Sequence, residues 1–346
     1  MYVNAEQLRR LWKDLGILRV IEREEFSRLV RTALKVRKLK AGVMPYKIRD
    51  DYRRVMPTRI SSKRYHREGK LEFKREGIER SLVNASWTLH GVHRIMKSFR
   101  SANEVIVKDE KLLTAVIKRA ALFYGADLVG IAPFDDRWLY EGFEMPFKPK
   151  CVIVLAFEMD LGVSSDDIIA AEVGYNYSKM SFTVLCLAKF ISGLGFNALP
   201  QCNEGSLSIP FGILAGLGEI GRMGLLVTPE YGARVRLAKV FTDAPLVVDN
   251  PISFGLWEKC MDCCICADAC PVGAIPYGPP SWESKAGQVG VYKWHIDPKR
   301  CYSYWVKIGR SCAKCVYACP YSKALWDLYR IEAKRRALRY ISSLRE

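Results

Sequence analysis

The stretch CMDCCICADACP, residues 260–271, decides how the C-terminal part of this chain folds. Its cysteines follow the spacing C-x2-C-x2-C-x3-C-P, and a shorter run, C-x2-C-x3-C-P, ends at residue 320. Nine of the twelve cysteines lie between residues 260 and 319, in a region rich in Pro and Gly with little apolar periodicity. A module that is organised by bound metal needs little apolar core, so the region is predicted to fold around metal.

Cysteine runs of this kind are typical of iron–sulfur ligands. In the bacterial ferredoxin run, three thiolates hold one [4Fe–4S] cluster, and the fourth cysteine, before proline, ligates the other cluster. Two crossed ligand sets are therefore predicted: Cys260, Cys263, Cys266 and Cys319, and Cys270, Cys312, Cys315 and one more. Cys301 is the best candidate for the missing ligand, eleven residues before Cys312. Zinc and disulfides are the alternatives, but two runs that end in x3-Cys-Pro are more specific for iron–sulfur clusters. Cys264 has no assigned role.

Composition sets the broad class of the protein. A length of 346 residues favours about two domains, and 49% hydrophobic residues are enough to bury a core. No apolar run is long enough for a transmembrane helix. Clustered cysteines without an export signal favour a reducing cytoplasm, because Arg9-Arg10 only faintly resembles a twin-arginine motif and no apolar stretch follows it.

The net charge of +17 is uneven along the chain. Lys and Arg outnumber Asp and Glu by 26 to 11 in residues 1–100, but only by 28 to 26 in the remainder. A basic N-terminal third favours an acidic partner, a nucleic acid or a membrane surface, with a solvated face as the plain alternative.

Hydrophobic periodicity divides the chain into four regions. We expect a basic helical N-terminal region (1–104), a core (105–250), a cysteine module (251–325) and a basic C-terminal helix (326–346). Amphipathic helices alternate with short apolar runs in the core, and the run at 151–157, CVIVLAF, is typical of a buried strand. The alternation predicts an α/β (α+β) layer architecture.

The segment GLGEIG at 216–221 has the literal form G-x-G-x-x-G of a dinucleotide site. The context disfavours that site, because Ser208–Ala215 contains Pro and Gly and does not look like a buried strand. A glycine-rich turn still lets the backbone approach a large anionic or phosphate-bearing ligand. Gly216, Gly218 and Gly221 are therefore candidate cofactor-binding residues.

Several separated segments resemble the catalytic core of cobalamin-dependent reductive dehalogenases. They are GYNYSKM (174–180), LGFNALPQCN (194–203), AGLGEIGRMGLLVTPEYG (215–232) and VRLAKVFTDAPLVVDNP (235–251), with the two cysteine runs following in the same order. The resemblance covers about residues 105–325. It implies a nitroreductase-like core that holds a base-off corrinoid (cobalamin), with a ferredoxin-like module of two [4Fe–4S] clusters.

The same resemblance implies roles for individual residues. The proton donor of the family falls on Tyr177, the assisting basic residue on Arg236 and the pocket asparagine on Asn203. A cation near a phenol favours its phenolate form, which makes the phenol a better proton donor. Arg222 and Cys202 lie in matching segments and join the cofactor-binding candidates. Trp138, Tyr140, Tyr175 and Trp282 are candidate aromatic walls.

The resemblance favours reductive removal of halide from a small organohalide, with an external low-potential donor such as ferredoxin or flavodoxin. One alternative is an epoxyqueuosine reductase-like enzyme acting on tRNA, which the basic charge favours. That relative carries an acidic proton donor in an Asp-Thr-Gly/Ala-Pro context, where this chain reads Gln201-Cys202-Asn203-Glu204. A non-catalytic electron-transfer or corrinoid protein is the other alternative. Nucleic acid is thus a disfavoured partner, and peripheral membrane contact stays open.

Overall fold

A computed structural model describes residues 2–3, 5–14, 18–50, 52, 78–95, 106–159, 166–284, 290–309 and 311–322. The α-helices are α1 (Ala5–Asp14), α2 (Leu18–Ala33), α3 (Ile78–Ser86), α4 (Glu110–Phe123), α5 (Asp166–Gly193), α6 (Ser208–Leu214), α7 (Leu256–Asp262), α8 (Ile265–Asp268), α9 (Pro298–Ile308) and α10 (Lys314–Ala318). The strands are β1 (Tyr2–Val3), β2 (Arg37–Lys38), β3 (Ile106–Val107), β4 (Leu128–Pro133), β5 (Cys151–Glu158), β6 (Ala198–Gln201), β7 (Glu219–Ile220), β8 (Leu226–Val227), β9 (Val235–Thr242) and β10 (Ile252–Ser253). Short 3-10 helices cover Val92–Ile95, Asp136–Trp138 and Pro320–Ser322. The predicted C-terminal helix, residues 326–346, lies outside the described residues.

A four-stranded sheet forms the centre of the core, in the order β4-β5-β9-β6. All three strand pairs are antiparallel, which corresponds to the α+β form of the predicted class. The edge strand β6 contains Pro200, which an edge position tolerates because no ladder hydrogen bond is needed on its outer side.

Strand β5 is apolar from Cys151 to Phe157 because both faces of the sheet are covered. Ile153, Leu155 and Phe157 face one apolar cluster, together with residues of α4 and α5. The alternate residues of the strand face a second cluster with α6 and α2. Side chains alternate between the faces of a strand, so burial on both sides produces a continuous apolar run.

Helices α4 and α5 supply most of the helical side chains of the first cluster. The side chain of Asp109 caps α4 by accepting a hydrogen bond from the Leu112 amide at 2.9 Å. Helix α5 is 28 residues long and carries Tyr177 near its middle. None of the described helices has both the length and the apolar composition needed to span a bilayer.

The basic N-terminal region packs directly on the core. Helix α2 contributes Phe26 and Val30 to the second apolar cluster, and Glu230, which is 1% exposed, accepts hydrogen bonds from Ser27 and Arg31. Strand β2 pairs with β10 at the start of the cysteine module. The N-terminal region thus shares an apolar cluster with the core and a two-stranded sheet with the cysteine module. The predicted division into four regions stays a prediction.

The cysteine module is built from short helices. Helices α7 to α10 span 7, 4, 11 and 5 residues, and neither α9 nor α10 has a buried residue. Proline and an Asp297 cap start α9, and Gly309 ends it in the left-handed conformation at φ 68°.

Candidate active site

Two polar side chains from separate segments of the chain meet at the phenol of Tyr177. Tyr177 comes from α5, Asn203 follows β6, and Arg236 lies in β9. Asn203 Nδ2 and Arg236 Nη1 donate hydrogen bonds to Tyr177 Oη at 2.8 and 3.0 Å. The Arg236 guanidinium carbon also lies 4.4 Å from the ring centroid of Tyr177. The structure thus brings together the three predicted catalytic residues.

The phenol oxygen of Tyr177 acts as an acceptor in both bonds. Among the described residues no acceptor takes its hydroxyl hydrogen, so that hydrogen is available to a bound molecule. Arg236 Nε is buried, and no described residue forms a hydrogen bond with it. Buried polar groups are normally paired, so an unpaired nitrogen in a cavity wall fits a site that a ligand completes.

An aromatic cap covers Tyr177 from the segment after α3. The Trp87 ring stacks on Tyr177, with centroids 5.2 Å apart and planes at 22°. The His90 ring meets Tyr177 edge-on at 5.2 Å. Glycine is required at position 174 on α5, because a Cβ there would collide with the Trp87 indole nitrogen. Burial and then the charge of Arg94 lower the pKa of His90, and this favours a neutral ring beside the phenol.

The loop that carries Asn203 is held on its outer side by Glu204. The Glu204 carboxylate accepts from Arg94 Nε at 2.8 Å, from the Cys202 amide at 2.9 Å and from His93 Nε2 at 3.1 Å. Burial by itself would raise the pKa of Glu204, but the hydrogen bonds from His93 and Arg94 hold it well below the usual value. Glu204 is therefore ionised, and it fixes the loop to the 3-10 helix Val92–Ile95, which carries His93 and Arg94.

The inner side of the same loop is held by Lys239 of β9. Its ammonium donates to Ser208 Oγ at 2.7 Å, to the Cys202 carbonyl at 2.9 Å and to the Ser206 carbonyl at 3.3 Å. Lys239 is 0% exposed, and burial lowers its pKa to about 8. The position of Asn203 therefore depends on contacts from two directions.

His93, Cys202 and Glu204 also form a group of three potential metal ligands within 4.8 Å of one another. Two observations argue against a cation here. The Arg94 guanidinium already contacts the carboxylate, and the two ring nitrogens of His93 face different partners, Glu204 and Cys202. We interpret the group as a positioning cluster.

This placement corrects the prediction that Cys202 binds a cofactor. Its side chain is in the apolar core and is 2% exposed, with Sγ 3.7 Å from both Ser181 Oγ and His93 Nδ1. Burial raises the pKa of the Cys202 thiol to about 12, so it is a neutral buried thiol.

The eight predicted ligand cysteines form two groups that are crossed in sequence. The first cysteine group, around one cavity, is Cys260, Cys263, Cys266 and Cys319. The second cysteine group, around a cavity of about 410 Å³, is Cys270, Cys301, Cys312 and Cys315. Cys264 lines neither cavity. The grouping agrees with the predicted ligand sets, including Cys301.

Both groups are chemically suited to hold clusters. Burial, then the neighbouring thiols, raise the pKa of Cys266 and of Cys315 to about 12 and that of Cys301 to about 11. Four cysteine side chains close together around a cavity are a ligand set for a cluster, and any thiol among them that binds as thiolate releases its proton.

Arg222 lies against the first cysteine group. Its side chain is 0% exposed, and its guanidinium donates to backbone carbonyls throughout the ligand loop, at Cys260, Met261, Cys263, Pro276, Tyr277 and Gly278. Its predicted cofactor-binding role stays a prediction, and the structure places it at the cavity of the first cysteine group, where it organises the ligand loop.

Two glycines of the glycine motif allow close backbone packing, and the cofactor-binding role of the motif stays a prediction. A Cβ at Gly216, where φ is 68°, would collide with the Asn250 carbonyl oxygen, and one at Gly218 would collide with that of Val227. The space expected for a ligand is filled by the chain's own backbone. Gly221 lines the cavity of the first cysteine group, and helix α6 rather than a strand precedes the motif.

The expected aromatic walls lie elsewhere in the structure. Trp138 is 1% exposed inside the core, and Tyr175 is 55% exposed on the surface. Tyr140 is not among the residues that line the larger cavity, and Trp282 packs on Tyr292. Aromatic residues of α9 line the cavity shared by Arg236 and the second cysteine group, and they are Tyr302, Tyr304 and Trp305.

Comparison with known proteins adds independent evidence. Residues 259–323 match the family described as "4Fe-4S dicluster domain", which confirms the prediction of two clusters. The tetrachloroethene reductive dehalogenase of Dehalobacter restrictus is 37% identical over 262 residues, which are 60% of this chain and 48% of the relative. The chain is a homologue of the reductive dehalogenases.

A solved structure supports the same assignment for the fold. The catabolic reductive dehalogenase NpRdhA superposes on this chain with a TM-score of 0.66 at 25% identity. The superposition covers 84% of this chain and 44% of NpRdhA. The predicted fold class is therefore confirmed. The homologue spans about half the length of the curated relative it matches. The epoxyqueuosine reductase of Bacillus anthracis is a more distant relative, 29% identical over 32% of this chain.

Proposed function

We propose that this chain forms the catalytic core of a corrinoid- and iron–sulfur-dependent reductive dehalogenase. The observation that carries the proposal is that Asn203 and Arg236 both donate hydrogen bonds to the phenol oxygen of Tyr177, and that Arg236 also lines the cavity of the second cysteine group. An external low-potential donor, such as a ferredoxin or a flavodoxin, supplies the electrons.

The cavity shared by Arg236 and the second cysteine group suits an apolar macrocycle with one polar edge. Its wall is largely apolar, and the unpaired Arg236 Nε lies at the end where Tyr177 sits. Met159, Val173, Leu225 and Val235 belong to its apolar wall and would hold a corrinoid, and the cysteines that line the same cavity would hold the nearer cluster. The relatives found in the comparison are named as reductive dehalogenases of tetrachloroethene, which is an organohalide.

A bound corrinoid would supply the two electrons that break the carbon–halogen bond, and the clusters would supply electrons to it one at a time. The overall change is R–X + 2e⁻ + H⁺ → R–H + X⁻. Tyr177 donates the proton from its free hydroxyl hydrogen. Arg236 and Asn203 already donate to the oxygen, so they stabilise the negative charge that appears there when the proton leaves. Trp87 keeps bulk water from the ring by stacking on it.

The test is anaerobic reconstitution of the chain with iron, sulfide and cobalamin, followed by halide release from a panel of haloalkenes and haloaromatics. We expect halide release from at least one class of substrate, dependent on cobalamin and on a low-potential reductant. A preparation with full iron and cobalt content that releases no halide from any of the compounds would contradict the proposal.

A further inference from the structure

We propose that a basic groove beside the first cysteine group is the docking site of an acidic electron-transfer protein. The basic groove is formed by Arg37, Lys38 and Lys47 on one side and by Trp257 and Tyr292 on the other, and it encloses about 610 Å³. The inference rests on the proposed function only in requiring a cluster at the first cysteine group.

The backbone fixes the basic side of this groove to the cysteine module. Strand β2 pairs with β10 through Lys38 opposite Ile252 and Arg37 opposite Ser253. Further along, the Lys47 carbonyl accepts a hydrogen bond from the Tyr292 amide at 3.0 Å. These cations therefore keep a defined position next to α7.

The charge of the groove is positive and available. Arg37, Lys38 and Lys47 are exposed, and the described residues give none of them an ion-pair partner. Glu258 is the exposed carboxylate of the lining, and Glu219 is buried and accepts hydrogen bonds from the backbone amides of residues 254 and 256. Three exposed cations against one exposed carboxylate attract a partner with a negative face.

One helix separates the groove from the first cysteine group. On α7, Trp257 and Glu258 face the groove, whereas Lys259 and Cys260 line the cysteine cavity. Behind Trp257, the Trp294 ring lies at a centroid distance of 4.6 Å, and Arg222, which donates to the Cys260 carbonyl, lies 5.1 Å from that ring. Electron tunnelling weakens steeply with distance, so a donor gains most by docking against so thin a wall.

The shape of the site favours a protein partner. The groove is a concave space between two chain segments with aromatic side chains in its wall, and Trp and Tyr are enriched at protein interfaces. A flat lipid surface cannot enter such a space. In the electron-transfer step the reduced donor loses one electron and the first cluster gains it, with no bond formed or broken.

The experiment measures reduction of the first cluster by a fully reduced acidic flavodoxin, with stopped-flow absorbance and no organohalide present. The test variant is Arg37→Glu/Lys38→Glu/Lys47→Glu. The matched control is Arg9→Glu/Arg10→Glu/Lys13→Glu, which makes the same charge change at exposed positions of α1, a helix that packs on α4. Reduction by Ti(III) citrate shows that each variant contains intact clusters.

We expect flavodoxin to reduce the groove variant at least about tenfold more slowly than wild type at about 0.02 M salt. This difference in rate should shrink at about 0.5 M salt, where charges are screened. The α1 variant should keep most of the wild-type rate. Equal slowing of both variants, or of neither, would overturn the proposal. The proposal would also fail if the groove variant lost binding to anionic phosphatidylglycerol vesicles while flavodoxin reduced it normally. Because no organohalide is used, this experiment tests the docking site even if the proposed dehalogenase activity is wrong.

Discussion

The cysteine module and the Tyr177 site are held together in different ways. In the module, α9 and α10 bury no residue, and a small apolar cluster that includes Leu256 and Ile275 is supplemented by the carbonyls that Arg222 binds and by the thiols that a cluster would bridge. At the Tyr177 site, β5 and β9 hold the side chains on a sheet that is buried on both faces. The module should therefore depend on its cofactors for stability, whereas the catalytic geometry is present in the protein alone.

The largest effect should come from removing one ligand of the module. Cys301→Ala should eliminate the cluster of the second cysteine group, and about four of about eight irons should be lost. Iron analysis and EPR spectroscopy of the remaining cluster measure this. Cys264→Ala is the matched control, because Cys264 lines neither cavity and its replacement should leave the iron content unchanged. Full iron content in Cys301→Ala would remove Cys301 from the ligand set.

The second effect concerns the site that is built without a cofactor. Tyr177→Phe removes the free hydroxyl hydrogen but keeps the ring between Trp87 and Arg236. Halide release should fall about 10²–10⁴-fold, the usual contribution of a positioned proton donor, while iron and cobalt contents stay at wild-type levels. Unchanged turnover with every organohalide tested would show that the proton comes from another source.

A third prediction examines how the module coheres. Arg222→Lys keeps the charge but offers one ammonium in place of five N–H donors, so several buried carbonyls lose their partners. We expect a loss of about 3–5 kcal/mol in stability and faster loss of iron to a chelator. Arg137→Lys, at a 54% exposed ion pair, is the control and should change stability by less than about 1 kcal/mol. Equal iron retention in the two variants would show that Arg222 is dispensable.

Sequence reasoning is most direct where the chemistry is local. Cluster ligands lie within short motifs, so their spacing alone predicts both crossed groups, and Cys301 followed from counting the remaining cysteines. The strand at 151–157 was also predicted, since a strand buried on both faces is continuously apolar. The positions of Tyr177, Asn203 and Arg236 required the family resemblance, because each residue comes from a different element.

Two features could not be read from the sequence, for physical reasons. Glycines that allow close backbone packing have the same sequence signature as glycines that admit a ligand, and Gly216 and Gly218 are of the first kind. The contacts of His93 and Arg94 with Glu204 join residues about 110 positions apart, and no local pattern predicts such a pair.

The smallest effect tests whether those distant contacts position Asn203. Glu204→Gln removes the negative charge that holds Arg94 and His93, so the loop should loosen and halide release should fall about tenfold. If Glu204 acts only through Asn203, the same substitution should have little effect in an Asn203→Ala background, which is the non-additive result expected of two residues that act as a unit. Glu141→Gln, an exposed carboxylate elsewhere, controls for a change of net charge. A full tenfold loss in the Asn203→Ala background would instead assign Glu204 a role independent of Asn203, and the position of Asn203 would then be attributed to the contacts of Lys239.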